Sequence, residues 1–284
     1  MPRRTFLNIA LAVLITAIAA LLWLLPPEEQ QPAPVLVPGV DPASIDTIRV
    51  QRTGNTELRF RRDGRNWRMT APVTAPAHEA RINALLGLLT DQSLATLPAA
   101  DLGRFGLAEP AVVVELGPHR IALGDAHPID AQRYVLYGDA VHLVPDSLYA
   151  QLSQNAGFFI DNRLLPPGAQ PSRLRYPAFT LAWGNGGWRE VPTASRDAAA
   201  LLAVIGTWKS ARALAVRTPM KPAETLGVIS IETATGTITF DIVALDPAPI
   251  LARRDLDLQY HLDAFTAEQL LILPPAASTS APPG

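Results

Sequence analysis

The same order of turns and apolar positions runs through this chain twice, and a repeat of this length constrains the fold to two like units. The first copy opens on alternating Leu58 and Phe60, turns at Asp63-Gly64 and returns through Trp67 and Met69. The second opens on Phe179 and Leu181, turns at Gly184-Asn185-Gly186-Gly187 and returns through Trp188. Alternation on either side of residues that accept positive φ predicts a β-hairpin in each copy. Behind each hairpin, apolar residues recur at helical spacing: Ile82, Leu85, Leu86 and Leu89 in one, Leu201, Val204, Ile205 and Trp208 in the other. The two sets differ by a constant offset of about 119 residues, and each places four apolar side chains on one helix face.

The correspondence continues beyond the helices. Phe105-Gly106-Leu107 answers Leu226-Gly227-Val228, and each leads into a predicted strand pair, 112–116 with 120–123 and 229–233 with 237–242. Further short strands are expected at 134–137, 141–144, 250–253 and 259–262, and a short helix closes each copy near 147–152 and 267–271. The expected fold class is therefore α+β: two tandem repeats, 43–156 and 157–273, each an antiparallel sheet of hairpin plus meander with a packed helix.

Ahead of the repeats stand Arg3 and Arg4, then an apolar run from Phe6 to Leu25 interrupted only by Asn8 and Thr16. About 20 such residues at 1.5 Å each match a hydrocarbon core roughly 30 Å thick, where a helix satisfies its own backbone. Residues 1–25 are thus expected to form a transmembrane anchor, embedded through 6–25. The arginine pair on one side and Glu28 and Glu29 on the other favour a cytoplasmic N-terminus and an exported remainder. A cleavable signal peptide is the competing reading. Its apolar core would normally span about 7–15 residues, whereas this run continues through Trp23, Leu24 and Leu25, with Ala17-Ile18-Ala19 inside it. Residues 26–42, with five prolines up to Pro38, read as an extended spacer, and 274–284 as a disordered tail.

Composition narrows the function classes. There is no cysteine, hence no disulfide, thiolate nucleophile or thiolate metal ligand. Without Arg3 and Arg4 the acidic side chains outnumber the basic, and the densest basic group, Arg59, Arg61, Arg62 and Arg65, is interleaved with Glu57 and Asp63. That pattern is the solvated face of a hairpin and argues against a nucleic-acid partner.

Candidate chemistry is sparse. No hydrolase elbow, zinc-protease helix, phosphate-binding loop or dinucleotide fingerprint occurs. Gly184-Asn185-Gly186-Gly187 lies between two strands instead of opening a helix, which makes it a hairpin turn and not an anion cradle. His119, Asp125, His127 and Asp130 come nearest to a metal-ligand set, provided strand alternation brings the two histidines together. His78, His142 and His261 have no ligand spacing, and Asp139 and Asp146 suit turn and cap roles. Trp67 and Trp188, at equivalent places, either line a ligand groove or close their hairpins against the neighbouring helix, the second being the expected role. No catalytic, cofactor-binding or metal-binding residue is assigned, and no cofactor is called for.

Trp67 followed by Pro72, an apolar helix, and then Arg104-Phe105-Gly106-Leu107-Ala108-Glu109-Pro110 leading into a hydrophobic strand resembles the domain-of-unknown-function family DUF4340. The resemblance covers 45–152 best, since the second copy lacks the proline after Leu226-Gly227-Val228. It implies a bacterial exported protein behind one N-terminal membrane helix, its gene often beside an ABC transporter of the gliding-motility type, and carries no chemistry to transfer. The resulting expectation is a non-catalytic accessory protein of the inner membrane, its domain in the periplasm, with an integral membrane partner such as an ABC permease. The alternative is a periplasmic module binding a lipid, glycan or peptide in a cleft between the two lobes; a hydrolase with an unfamiliar site is the third class.

Overall fold

Alternating burial along Thr47–Arg52, with Ile48 and Val50 inward and Thr47, Arg49 and Gln51 outward, makes this segment a strand with one face in a core. It is β1, an interior strand of the first of two antiparallel sheets in the computed structural model, which describes residues 11, 13–16, 34–192, 196–218 and 224–271. The first sheet comprises β1, β2 (Leu58–Asp63), β3 (Asn66–Ala71), β4 (Ala75–Pro76), β5 (Ala95–Pro98), β6 (Val112–Leu116), β7 (His119–Ala126), β8 (Gln132–Tyr137) and β9 (Ala140–Pro145). Its order is β4-β3-β2-β1-β6-β7-β8-β9-β5. The second comprises β10 (Pro171–Arg175), β11 (Thr180–Gly184), β12 (Gly187–Val191), β13 (Ala215–Arg217), β14 (Gly227–Thr233), β15 (Gly236–Ala244), β16 (Ile250–Arg253) and β17 (Leu258–His261). Its order is β12-β11-β10-β14-β15-β16-β17-β13, the first sheet's order strand for strand without the counterpart of β4.

Turn chemistry fixes the hairpins. Gly64 opens the β2–β3 loop at φ 61°, and Asn185-Gly186 joins β11 to β12 with both residues at positive φ, the backbone that lets a two-residue loop follow the strand twist. The central strands carry matching cross-strand ion pairs, Arg49 to Glu115 at 3.2 Å in one sheet and Arg173 to Glu232 at 3.3 Å in the other. Four α-helices punctuate the described strands: α1 (Glu79–Gly87), α2 (Tyr149–Leu152), α3 (Ala198–Ser210) and α4 (Ala264–Leu271). Asp197 caps α3, its carboxylate accepting from the Ala200 N–H at 2.7 Å. On α1, Ile82, Leu85 and Leu86 are buried, with Leu89 buried just past the helix end; on α3, Leu201, Val204, Ile205 and Trp208 are. All eight belong to one apolar cluster that includes side chains from both sheets.

The structure departs from the expectations at several places. Each copy begins one strand earlier than its hairpin, at β1 and β10, and each has an added strand after its helix, β5 and β13. Leu226-Gly227-Val228 is not the counterpart of Phe105-Gly106-Leu107. The former is at the start of β14, with Gly227 against Pro177, whereas the latter ends a 3-10 helix, Leu102–Phe105, outside any strand. That helix covers the far face of the first sheet, where Leu107, Val113, Ala122 and Val141 form a second, smaller core with Phe105 and Leu102. The approach is tight: a Cβ at Gly124 would lie 2.1 Å from the Phe105 carbonyl oxygen. The spacer expected over 26–42 also ends early. Val35 bridges to Gln92, the Leu36 N–H donates to the Asp91 carbonyl at 2.8 Å, and Leu36 and Val37 are buried in the main core.

Of the anchor expected over 1–25, only residues 11 and 13–16 are described, as helix; the remainder, and the tail expected over 274–284, lie outside the described residues. Among the described residues no helix is long and apolar enough to cross a membrane.

Candidate ligand site between the two units

The boundary drawn at 156/157 falls on a segment that both units hold. After the 3-10 helix Ala156–Phe159, Ile160 bridges to Ala77 of the first unit and Arg163 to Arg212 of the second. The Asp161 N–H donates to the Pro76 carbonyl at 2.9 Å, and the Ala213 N–H to the Asn162 carbonyl at 2.8 Å. Phe159, Ile160, Leu164 and Leu165 are buried, with the Phe159 ring 5.8 Å from that of Phe60. An apolar connector whose backbone is paired on both sides welds the units, because separating them must break one half of its hydrogen bonding and expose its buried side chains.

A cleft of about 230 Å³ opens beside it, walled by Trp67 on β3, by Leu164 to Pro167 of the connector, and by Leu256 and Tyr260 from the second unit. Its cations each have a carboxylate. Asp161 takes a forked contact from Arg163, Oδ2 to Nη2 at 2.6 Å, which raises the guanidinium's pKa further. Arg253 pairs with Asp255 at 2.5 Å, and Arg68 lies 3.7 Å from Asp63. Burial pushes the Tyr260 phenol up to about 12, which keeps it protonated at neutral pH. The arrangement offers flat apolar surface, an indole and a phenol, with ion pairs around them. It suits holding a ligand.

The residues singled out from sequence do not converge on this cleft, Trp67 excepted. Its ring is buried with the Arg62 guanidinium 4.7 Å from its centroid, while Trp188, partly buried, meets Trp183 edge to face at 6.0 Å. His119 and His127 lie at opposite ends of β7, roughly 25 Å apart at a strand's rise, so alternation does not unite them. His119 instead contacts the Tyr137 hydroxyl at 3.0 Å, and His127 lies 3.9 Å from the Asp130 carboxylate. Asp125 sits over Gly106, where a Cβ would come within 2.5 Å of its carboxyl carbon. Among the described residues no group of three or more His, Asp and Glu is arranged to hold a metal. Asp139 occupies the β8–β9 turn as expected from its sequence, but Asp146 caps nothing: it receives a forked pair from Arg133 at 2.8 and 2.9 Å. Sequence reasoning missed Arg163, Leu256 and Tyr260 as wall residues; the apolar run Leu164-Leu165-Pro166-Pro167 at the start of the second copy is the local signal for the connector, and no local pattern relates it to Leu256 or Tyr260.

Residues 67–219, more than half of the chain, match the family model DUF4340, a domain of unknown function; the matched segment starts on β3 and ends past β13, so it includes parts of both units and the whole connector. No curated protein and no solved structure matches the chain.

Proposed function

The chain belongs to the DUF4340 family, and from that premise we propose that it is a membrane-anchored accessory protein of the bacterial envelope that acts by binding, without turnover. In this reading residues 6–25 cross the inner membrane, the two tandem α+β units with their packed helices stand in the periplasm, and they engage an integral membrane partner, an ABC-type permease. The observation that carries it is how the part-buried carboxylates are used: Asp146 pairs with Arg133, Asp161 with Arg163, Glu190 with Arg196 and Asp241 with Arg254, each an ion pair that ties elements of the fold together. Such pairs fix orientation and specify a rigid surface. The apolar run behind Arg3 and Arg4 supports the anchoring.

A second reading, a ligand held in the inter-unit cleft, is favoured by the apposed Trp67, Leu256 and Tyr260. One experiment separates the two: photocrosslinking in native membranes from positions on the units, followed by native mass spectrometry of the purified protein. Capture of a permease with no added mass is the expected result. A small molecule retained by the wild type and lost with Trp67→Ala, without membrane-protein capture, would replace the accessory reading by the second. A fluorescent reporter active only in the cytoplasm, fused after Gly284, should stay dark; a bright fusion overturns the topology.

A further inference from the structure

A second concavity, of about 270 Å³, lies along the earlier part of the connector, where Arg81 of α1 and Arg217 of β13 line one space. No acidic residue lines it; its other polar side chains are the amides of Gln154, Asn155 and Asn162. This sets it apart from the cleft, where each cation has its carboxylate. Neither Arg81 nor Arg217 has a carboxylate within 4.0 Å among the described residues, and outside those residues only Glu28 and Glu29 carry side-chain carboxylates. Asp161, on the adjoining connector, is committed to Arg163.

The guanidinium of Arg81 is partly buried, with its carbon 3.7 Å from the centroid of the Phe158 ring. Stacking uses a face of the guanidinium and leaves its N–H edges free for an oxyanion. Burial lowers its pKa, and among the described residues no carboxylate offsets that desolvation. Asn155 accepts the Phe158 N–H through Oδ1, and its amide nitrogen has no partner among the described residues. Beside these donors lie Phe158 and Leu214, the latter 74% exposed.

We propose that this groove binds an oxyanion carried on an apolar group. A carboxylate or phosphate sits on the edges of Arg81 and Arg217 with the Asn155 amide beside it, and the apolar part covers Phe158 and Leu214. The unpaired, partly desolvated guanidinium makes the anion's arrival favourable, and the exposed leucine makes an apolar attachment more favourable than a bare ion. The proposal is independent of the membrane partner and of the cleft.

The test is calorimetric titration of the full chain in a non-ionic detergent with hexyl phosphate, hexanoate, inorganic phosphate and acetate. At least one hexyl probe is expected to bind saturably and at least about tenfold more tightly than its headgroup alone, the stronger of the two identifying the preferred anion. Arg81→Gln and Arg217→Gln should each weaken that binding about tenfold or more, and exposed Arg61→Gln should leave it unchanged. Because Arg81 also stacks on Phe158, Arg217→Gln is the variant in which that stack is untouched. No saturable binding of any probe, equal binding of hexyl probe and bare ion, or full affinity in Arg217→Gln would each overturn the proposal.

Discussion

Arg133 shows how single residues hold this molecule together. Its guanidinium forks onto Asp146, donates to the Gly124 carbonyl and lies 3.5 Å from the centroid of the Tyr149 ring, so one side chain on β8 ties β7, the end of β9 and α2. Arg52 does the same at the end of β1, donating to the backbone carbonyls of Leu152, Gln154 and Thr56. The histidines are used differently. Burial lowers the pKa of His78, His142 and His261, assisted at His78 by Arg81 and at His261 by Arg217, while His142 meets the Ser93 hydroxyl at 2.9 Å. A histidine whose folded pKa lies below its unfolded value of about 6.5 binds more protons unfolded than folded, so stability is complete above that value and lost as pH falls through it. The urea midpoint should therefore decline between about pH 7.5 and 5.5, and His142→Gln should flatten part of that decline. A midpoint independent of pH across the window would contradict neutral burial of these rings. The Asp91 carboxyl, pushed up by burial, works in the opposite sense at lower pH.

At the scale of elements, each unit depends on one amphipathic helix whose inner face supplies core volume. Leu86 and Ile205 are each 6% exposed, whereas Gln92 faces solvent. Leu86→Ala and Ile205→Ala should each cost about 2–5 kcal/mol, from lost transfer energy plus the cavity left behind, and Gln92→Ala less than about 0.5 kcal/mol. Chemical denaturation of the three variants checks this, and equal tolerance at all three would remove these helices from the core. The two helices are not packed alike. Trp208 fills its site with a fully buried indole whose N–H donates to the Tyr176 hydroxyl at 2.7 Å, where the first unit has Leu89 beyond its helix end. A buried indole needs such an acceptor, so Trp208 and Tyr176 come as a pair. The sheets differ too. The far face of the first is apolar and covered by the 3-10 helix at 102–105, while on the second Ser230, Thr239 and the buried Asp241 alternate with the core residues Ile229, Ile231 and Phe240.

At the scale of the whole molecule, the connector decides whether two units behave as one. With Phe159 and Ile160 fully buried and the backbone bridged at Ala77 and Arg212, the units should unfold in a single transition. Hydrogen exchange followed by mass spectrometry should give β1, β6, β10 and β14 the same opening free energy, and Phe159→Ala should lower all four together, by about 3–5 kcal/mol. Two separate transitions, or a Phe159→Ala effect confined to one unit, would contradict the weld. By itself the sequence determined what depends on short range. The hairpins turn where Gly64 and Asn185-Gly186 permit positive φ, and Ile82, Leu85, Leu86 and their counterparts on α3 fall on one face because their spacing matches a helix turn. The family resemblance was legible from Arg104 to Pro110 for the same reason: its residues are contiguous. Three features were decided only by tertiary structure. β1 and β10 become interior strands by pairing with β6 and β14 some 60 residues away. The connector is buried because both units close on it. The cleft and the arginine groove gather residues from both units, Trp67 with Tyr260 and Arg81 with Arg217. Long-range pairing brings together side chains that no local pattern relates, so the sites at the seam were invisible until the two sheets were in place.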